Sequence, residues 1–292
     1  MIISVIMTIL NRSDDIEIVI DRLLNQTLSK DMYEIIIADN GSTDKTREII
    51  EKYKDRINLI DASAYNGSPY SARNMAAKLA RGEFLLFLDG YADYNLLESF
   101  NKFLNENKCK VVTGKVLINP NKDDIYEIYD SIFSLDTERF SANGFSPTAN
   151  LIIEKSLFDS MEGFKNDIRS GGDFILTKKI SKLGYKIFYC DTAVSFYFAR
   201  GKNELLKKIY RVSNGLPTVW KECGLGTLPI LKSIIRPFVP INPLSFKKYI
   251  LRRYDGELSE ADMFRLYFIR YRINIIISYC SLKRKIMDYL MA

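Results

Sequence analysis

The feature that most restricts this chain is an alternation along its first 120 residues. Short, almost wholly apolar runs at 2–7, 34–38, 57–60 and 84–88 are interleaved with longer stretches at 14–24, 43–53, 71–80 and 96–104. In the longer stretches the apolar positions recur at helical spacing, as in Ile16, Ile20, Leu23 and Leu24. A strand covered on both faces needs apolar residues throughout, whereas a surface helix needs them on one stripe only. The alternation therefore predicts βαβ units and a parallel sheet covered on both faces, with a further strand at 110–118. Beyond Asn119 the pattern loosens. A strand near 148–153, a helix near 174–183 and strands at 186–189 and 193–198 are still legible.

Composition matters here mainly for what it excludes. Of 292 residues, 47% are hydrophobic and 27% charged, the balance of a folded chain. There is no histidine. A Ser-His-Asp triad, a Cys-His dyad and a His-ligated zinc are thereby ruled out, and acid–base chemistry falls to Asp, Glu, Lys, Tyr or Cys. A metal site would have to be oxygen-rich, which favours Mg²⁺ or Mn²⁺. The four cysteines form no CxxC pair and read as free buried thiols in a reducing compartment. The apolar N-terminus carries no basic residue before it, unlike a secretory signal. The longest uncharged stretch near the C-terminus, 273–282, is ten residues, about half of what a membrane span needs. The expected location is cytoplasmic.

Charge is distributed unevenly. Residues 228–292 hold 12 basic and 5 acidic side chains, a net +7 that leaves the preceding 227 residues at −1. Five of the eight prolines also fall at or after 217. This shift divides the chain into a domain at 1–215 and a basic, aromatic helical region at 216–292. Residues 263–279 mix Arg with Phe, Tyr and Ile. Such a helix suits an anionic membrane surface, which would make the protein peripheral on the inner face of the cell membrane. The other reading is a packed helix with its arginines extended to solvent. No RNA- or DNA-binding motif accompanies the basic tail, so nucleic acid is not an expected partner.

In a parallel α/β sheet, ligands bind beyond the C-terminal ends of the strands. The residues there are Thr8, Asn11 and Arg12 after the first run, Asp39, Asn40, Gly41 and Ser42 after the second, Asn66 and Gly67 after the third, and Asp89 and Gly90 after the fourth. Arg73 follows on the helix after Asn66. Helix N-termini at this edge offer N–H groups to a phosphate.

The ordered set T-x-x-N-R, E-I-I-I-A-D-N-G-S-T-D-x-T, N-G-S-x-x-S-A-R-N and A-R-G-E-F-L-L-F-L-D, with a later G-F-K-N-D-x-R-S-G-G-D-F, resembles the family 2 glycosyltransferases over about residues 1–215. The resemblance implies an α/β GT-A fold with a mostly parallel central sheet. It implies inverting transfer of a sugar from a nucleotide-sugar, UDP-sugars being favoured. The acceptor would be a hydroxyl of a surface polysaccharide or of its lipid-linked precursor. By the same resemblance Asp39 accepts a base N–H, and Thr8, Asn11, Arg12, Asn40, Ser42 and Asn66 line the nucleotide pocket. Arg73 approaches the diphosphate, Asp173 is the catalytic base, and Asp89 is the first metal ligand.

Two departures accompany this likeness. The D-x-D metal motif reads Asp89-Gly90-Tyr91, and the stretch at 194–198 holds no histidine where many relatives have a metal ligand. Asp93 replaces the lost carboxylate only if residues 90–92 form a tight loop. The expectation is weak dependence on Mg²⁺ or Mn²⁺, with the diphosphate met by Arg73, Lys165, Arg169 or Arg200 instead. Simpler readings stay open for each residue. Asp39 to Ser42 is also a plausible strand-to-helix turn, Asp89 a capping residue, Asp173 a favourable helix-terminal charge and Arg73 a partner of a surface carboxylate. The missing ligands likewise leave room for a non-catalytic homologue that binds a nucleotide-sugar or a partner. A nucleotidyltransferase would need a glycine-rich phosphate loop after the first strand, which is absent.

Overall fold

The structure is a computed structural model that describes residues 2–290. It forms two compact units. One comprises the chain up to Leu117 together with Thr137–Tyr197, the other Ile118–Asp136 together with the chain from Phe198 onward. The boundary expected at residue 215 falls inside a helix, α9 (Lys202–Glu222), which continues through Pro217. The segment 118–136 joins the C-terminal unit from far away in sequence.

The first unit is built on strands β1 (Ile3–Ile9), β2 (Tyr33–Asp39), β3 (Asn58–Asp61), β4 (Phe84–Leu88), β5 (Tyr91–Ala92), β6 (Val111–Asn119), β7 (Asn150–Glu154) and β8 (Phe188–Phe198). They form one sheet in the order β3-β2-β1-β4-β7-β6-β8-β5. β3, β2, β1 and β4 run parallel, as the alternation predicts. β7 is antiparallel to both β4 and β6, and β5 is antiparallel to β8. The two strands read at 186–189 and 193–198 are one strand, β8.

Period-two alternation assigns the side chains of the parallel half to two cores. Val5, Met7, Ile35, Ile37, Leu86 and Leu88 face one side, where they meet helices α1 (Ile16–Leu24), α2 (Thr46–Glu51) and α4 (Leu96–Asn107). Ile6, Ile36, Leu85 and Phe87 face the other, against α3 (Pro69–Leu79) and, after β6, the helices α7 (Lys155–Ser160) and α8 (Gly172–Lys182). Each fully buried side chain of this size contributes about 1.5–3 kcal/mol. The C-terminal ends of β1, β2 and β4 are thereby fixed side by side: Thr8 pairs with Ala38, and Ile9 with Asp39.

The second unit is helical. α5 (Ile125–Phe133), α9, α11 (Pro243–Arg253) and α12 (Glu260–Leu290) share a core of Ile128, Ile132, Leu205, Phe246, Ile250, Leu266 and Ile273. α10 (Thr227–Ile235) sets Ile230 and Ile234 against Trp220. At the heart of this unit Asp130 is fully buried and accepts from Arg200 Nη1 and the Arg200 backbone N–H, each at 3.1 Å, and from the Ser134 hydroxyl. Lys208 Nζ stands 3.6 Å away, its ammonium pushed by burial down to about 8 in spite of Asp130's attraction. Asp130→Asn removes the anion that Arg200 and Lys208 share. We expect a loss of about 1.5–3 kcal/mol, because the buried Lys208 ammonium is left without its counter-charge. A urea titration checks it, and an unchanged midpoint would show that this cluster does not hold the unit together.

Candidate active site

The loop after β1 and the loop after β2 are stitched together by four crossing bonds. Asn11 N–H donates to Ser42 Oγ (2.9 Å) and Thr43 N–H to Asn11 Oδ1 (2.8 Å). Arg12 N–H donates to Thr46 Oγ1 (2.7 Å) and Ser13 N–H to Asp44 Oδ2 (3.1 Å). To make these bonds Asn11 takes a left-handed backbone conformation, φ 52°, which asparagine tolerates better than most residues. Bonds from Thr46 and Ser13 hold the Asp44 carboxyl well below its ordinary range. Asp44 lies within the E-I-I-I-A-D-N-G-S-T-D-x-T motif but received no role there, although an acidic residue two positions before a helix start is a capping signal.

Asp39, at the end of β2, is 2% exposed. Its Oδ1 accepts the Ser42 N–H at 2.9 Å, and its Oδ2 faces Arg47 Nη1 at 4.0 Å. Asn40 is also buried, and its amide nitrogen reaches the carbonyls of Ala62 and Tyr65, each at 3.0 Å. Asn66 is close by: a Cβ at Gly41 would lie 3.3 Å from Asn66 Nδ2. Thr8 is half-buried one residue short of the β1 end. Thus Thr8, Asn11, Asp39, Asn40, Ser42 and Asn66 gather around the ends of β1 and β2. Arg12 is tied down beside them. Its guanidinium grips Asp15 through two nitrogens, and its Nη1 donates to the Asp89 carbonyl at 2.7 Å.

A second cluster begins at Asp89, after β4. Arg73 Nη2 lies 2.6 Å from Asp89 Oδ1. The Arg73 side chain is only 6% exposed, and its Nε–H has no partner among the described residues. Burial works against the Arg73 charge, but Asp89 first, then Tyr70 and Asp173, hold it above its ordinary value. The guanidinium also sits 5.3 Å from the centre of the Tyr70 ring. Tyr70 in turn donates its hydroxyl to Asp173 Oδ1 at 2.9 Å. Burial and then the charge of Asp173 push the Tyr70 phenol well up, so it stays protonated. Asp173 Oδ2 accepts the Thr148 N–H at 3.2 Å.

The structure therefore links Asp89, Arg73, Tyr70 and Asp173 in one continuous path. Gly172 makes the last step possible, because a Cβ there would lie 2.8 Å from the Tyr70 ring. Gly171 and Gly172 form the turn into α8, with Gly171 at φ 86°. Sequence reasoning missed Tyr70, yet a signal was available: Tyr70 and Arg73 are three residues apart on one helix and so share a face.

The metal ligands fare differently. Tyr91 is buried and stacks on Phe196, ring centres 5.3 Å apart, so its phenol serves the core. Residues 91 and 92 are strand β5, and the tight loop that would swing Asp93 toward Asp89 does not form. Gly90 is required here for another reason: a Cβ would lie 2.1 Å from the Phe196 carbonyl of β8. Asp93 turns its carboxylate to the Asn95 N–H (3.0 Å) at the start of α4. Among the described residues no group of three or more His, Cys, Asp or Glu side chains is placed to hold a metal ion. Mg²⁺ and Mn²⁺ tolerate one or two carboxylates plus substrate phosphates, but here the single candidate, Asp89, already carries an arginine. This donor set does not fit a tightly bound divalent ion.

Comparison with known proteins bears on the family and the fold. The sequence profile of Glycosyl transferase family 2 matches residues 4–183. Glycosyltransferase AglE of Haloferax volcanii is 31% identical over 225 residues, which cover 75% of this chain and 74% of that protein. A poly(ribitol-phosphate) beta-glucosyltransferase of Bacillus spizizenii is 36% identical over 119 residues, 39% of this chain but only 19% of its own length. Among solved structures, the mannosyltransferase PcManGT of Pyrobaculum calidifontis, in complex with GDP-Man and Mn²⁺, superposes with a TM-score of 0.66 at 16% identity. It covers 98% of this chain and 87% of its own. Residues 1–349 of Staphylococcus aureus TarS, in complex with UDP-GlcNAc, give 0.58 at 20% identity, covering 98% and 89%. At such identities the likeness shows the fold, which is GT-A.

Proposed function

This chain belongs to glycosyl transferase family 2, and from that membership we propose that it moves a sugar from a UDP-sugar to an acceptor hydroxyl with inversion at the anomeric carbon. The acceptor is a surface polysaccharide or its lipid-linked precursor, and the protein works as a peripheral enzyme at the inner face of the membrane. The observation that supports the chemistry is the path from Asp89 through Arg73 and Tyr70 to Asp173. It separates two carboxylates by role. Asp89 is neutralised by a buried arginine, so it does not repel a diphosphate. Asp173 is held by neutral donors, the Tyr70 O–H and the Phe174 and Thr148 N–H groups, and keeps a lone pair for an incoming proton.

In the reaction so read, the acceptor hydroxyl attacks the anomeric carbon as Asp173 takes its proton, and the bond from that carbon to the diphosphate oxygen breaks. Charge building on the leaving UDP is met by helix N-termini and by Arg73. Holding donor and acceptor in one cleft supplies much of the acceleration. A screen of nucleotide-sugars for release of the free nucleotide tests this reading. Release from a UDP-sugar, stimulated by an acceptor glycan, supports it. Tight UDP binding without turnover would favour the non-catalytic homologue, a reading that the pairing of Asp89 with Arg73 keeps open.

Asp39 carries the uracil preference. We expect Asp39→Ala to weaken UDP binding about 10–150-fold, the worth of a buried charged acceptor of 1.5–3 kcal/mol. The lost Ser42 N–H bond adds a stability cost of about 1 kcal/mol. Calorimetric titration with UDP and with GDP decides the matter. The wild type should prefer UDP and the variant should not. An unchanged dissociation constant would remove Asp39 from the pocket.

A further inference from the structure

Between Cys223 and Tyr254 the chain carries six cations, Lys232, Arg236, Lys247, Lys248, Arg252 and Arg253, and no acidic residue. The same segment is apolar on surfaces that nothing covers. On α10, Ile230 and Ile234 pack against Trp220, while Leu228, Leu231 and Ile235 occupy the opposite face and are exposed, Leu228 by 71%. Phe238 and Val239 follow, 49% and 58% exposed, and Leu244 at the start of α11 is 79% exposed. A helix apolar on both faces belongs inside a protein core or against a membrane, and α10 has a core on one face only. The stretch that the sequence singled out for a membrane, 263–279, has Leu266 and Ile273 buried in the helical core and Phe264 and Phe268 exposed. Among the described residues no helix is long and apolar enough to cross a bilayer.

We infer that residues 225–248 form a docking surface for an anionic lipid bilayer, with Leu228, Leu231, Ile235 and Leu244 entering the headgroup–acyl boundary and Lys232, Arg236, Lys247 and Lys248 meeting lipid phosphates. The charge pattern selects this occupant. A protein–protein interface core is depleted in lysine, whereas here exposed cations lie between the exposed leucines and isoleucines. A second copy of this chain is disfavoured as well. A two-fold interface sets the same patch against itself, and this one would bring cations against cations with no acid to relieve them. Clustered Lys and Arg beside exposed apolar side chains match the negative surface potential of a leaflet rich in anionic lipid. The inference deepens the proposed function, resting on it only for the use of such a surface, which would bring the site to a lipid-linked acceptor.

The test is co-sedimentation of the full chain with vesicles of phosphatidylcholine alone and of phosphatidylcholine mixed with phosphatidylglycerol. Binding should be confined to the anionic vesicles and should weaken as salt rises. Lys232→Ala with Arg236→Ala should lower partition about 30-fold. Leu228→Glu with Leu244→Glu should lower it at least as far. All four changes lie on exposed side chains, so the melting temperature and UDP affinity should hold, which separates lost docking from lost fold. A wild type that stays in the supernatant with anionic vesicles overturns the inference, as does equal binding to neutral ones. So does a solution dimer that Leu228→Glu splits, because the patch would then be a protein interface. Absence of UDP-sugar turnover with vesicle binding intact would strike the proposed function and leave this surface standing.

Discussion

Asp173→Asn should abolish sugar transfer while leaving donor binding intact. The loss expected when a positioned base cannot take a proton is about 10²–10⁴-fold. The structure makes this a mild substitution. Asp173 accepts from the Tyr70 O–H and the Phe174 N–H at one oxygen and from the Thr148 N–H at the other. An asparagine oxygen can keep the Tyr70 and Phe174 bonds, and its NH₂ then faces the Thr148 N–H, so one bond worth about 1 kcal/mol is lost. The fold and the turn at Gly171 should therefore survive. UDP affinity, measured by titration, should match the wild type, and turnover should not. A companion variant, Tyr70→Phe, removes only the hydroxyl that aims the carboxylate, so a smaller loss of turnover with unchanged UDP affinity is expected. Near-normal transfer by folded Asp173→Asn would take Asp173 out of the base role, and the α8 N-terminus would then be explained by its helix dipole alone.

What could be read from residues alone follows from how local the information is. The parallel half of the sheet was legible because strands buried on both faces must be apolar throughout, as at Phe84–Leu88. The loops after β1, β2 and β4 followed from the sheet, since the chain has to turn there. Strand direction beyond β4 was not legible. Nothing in the periodicity of β6 or β7 says which neighbour each will find, and both lie in an antiparallel arrangement. The division into units is set by contacts that are not local. Prolines and a change of composition suggest a break near 215, whereas α9 runs through Pro217 and packs against α12 and against α5, about 70 residues upstream. The nucleotide-side residues came together as a group because each ends a strand. Tyr70 escaped notice because a buried tyrosine on a helix reads as core until its hydroxyl is seen to reach Asp173.

The pairing of Arg73 with Asp89 leads to the second large effect. In this site a buried guanidinium occupies the carboxylate that a metal would need, at 2.6 Å. Tyr91 faces the core and Asp93 accepts the Asn95 N–H just before α4, so neither adds a ligand without rearrangement. The wild type should therefore bind UDP with nearly the same affinity in EDTA as in micromolar Mn²⁺. Arg73→Ala should cost about 10²–10³ in transfer, the usual loss when one preorganised charge-stabilising group is removed. The same change releases Asp89, so the variant, unlike the wild type, should gain UDP affinity when Mn²⁺ is added. Asp93→Ala makes the opposite comparison: it should cost about 1 kcal/mol of stability through the lost Asn95 N–H bond and leave UDP binding alone. A large gain for the wild type at micromolar Mn²⁺, erased by Asp93→Ala, would mean that β5 rearranges when the nucleotide arrives and that Arg73 yields Asp89 to the ion. Without that gain, the cation that Asp89 answers to in this fold is the arginine already in place.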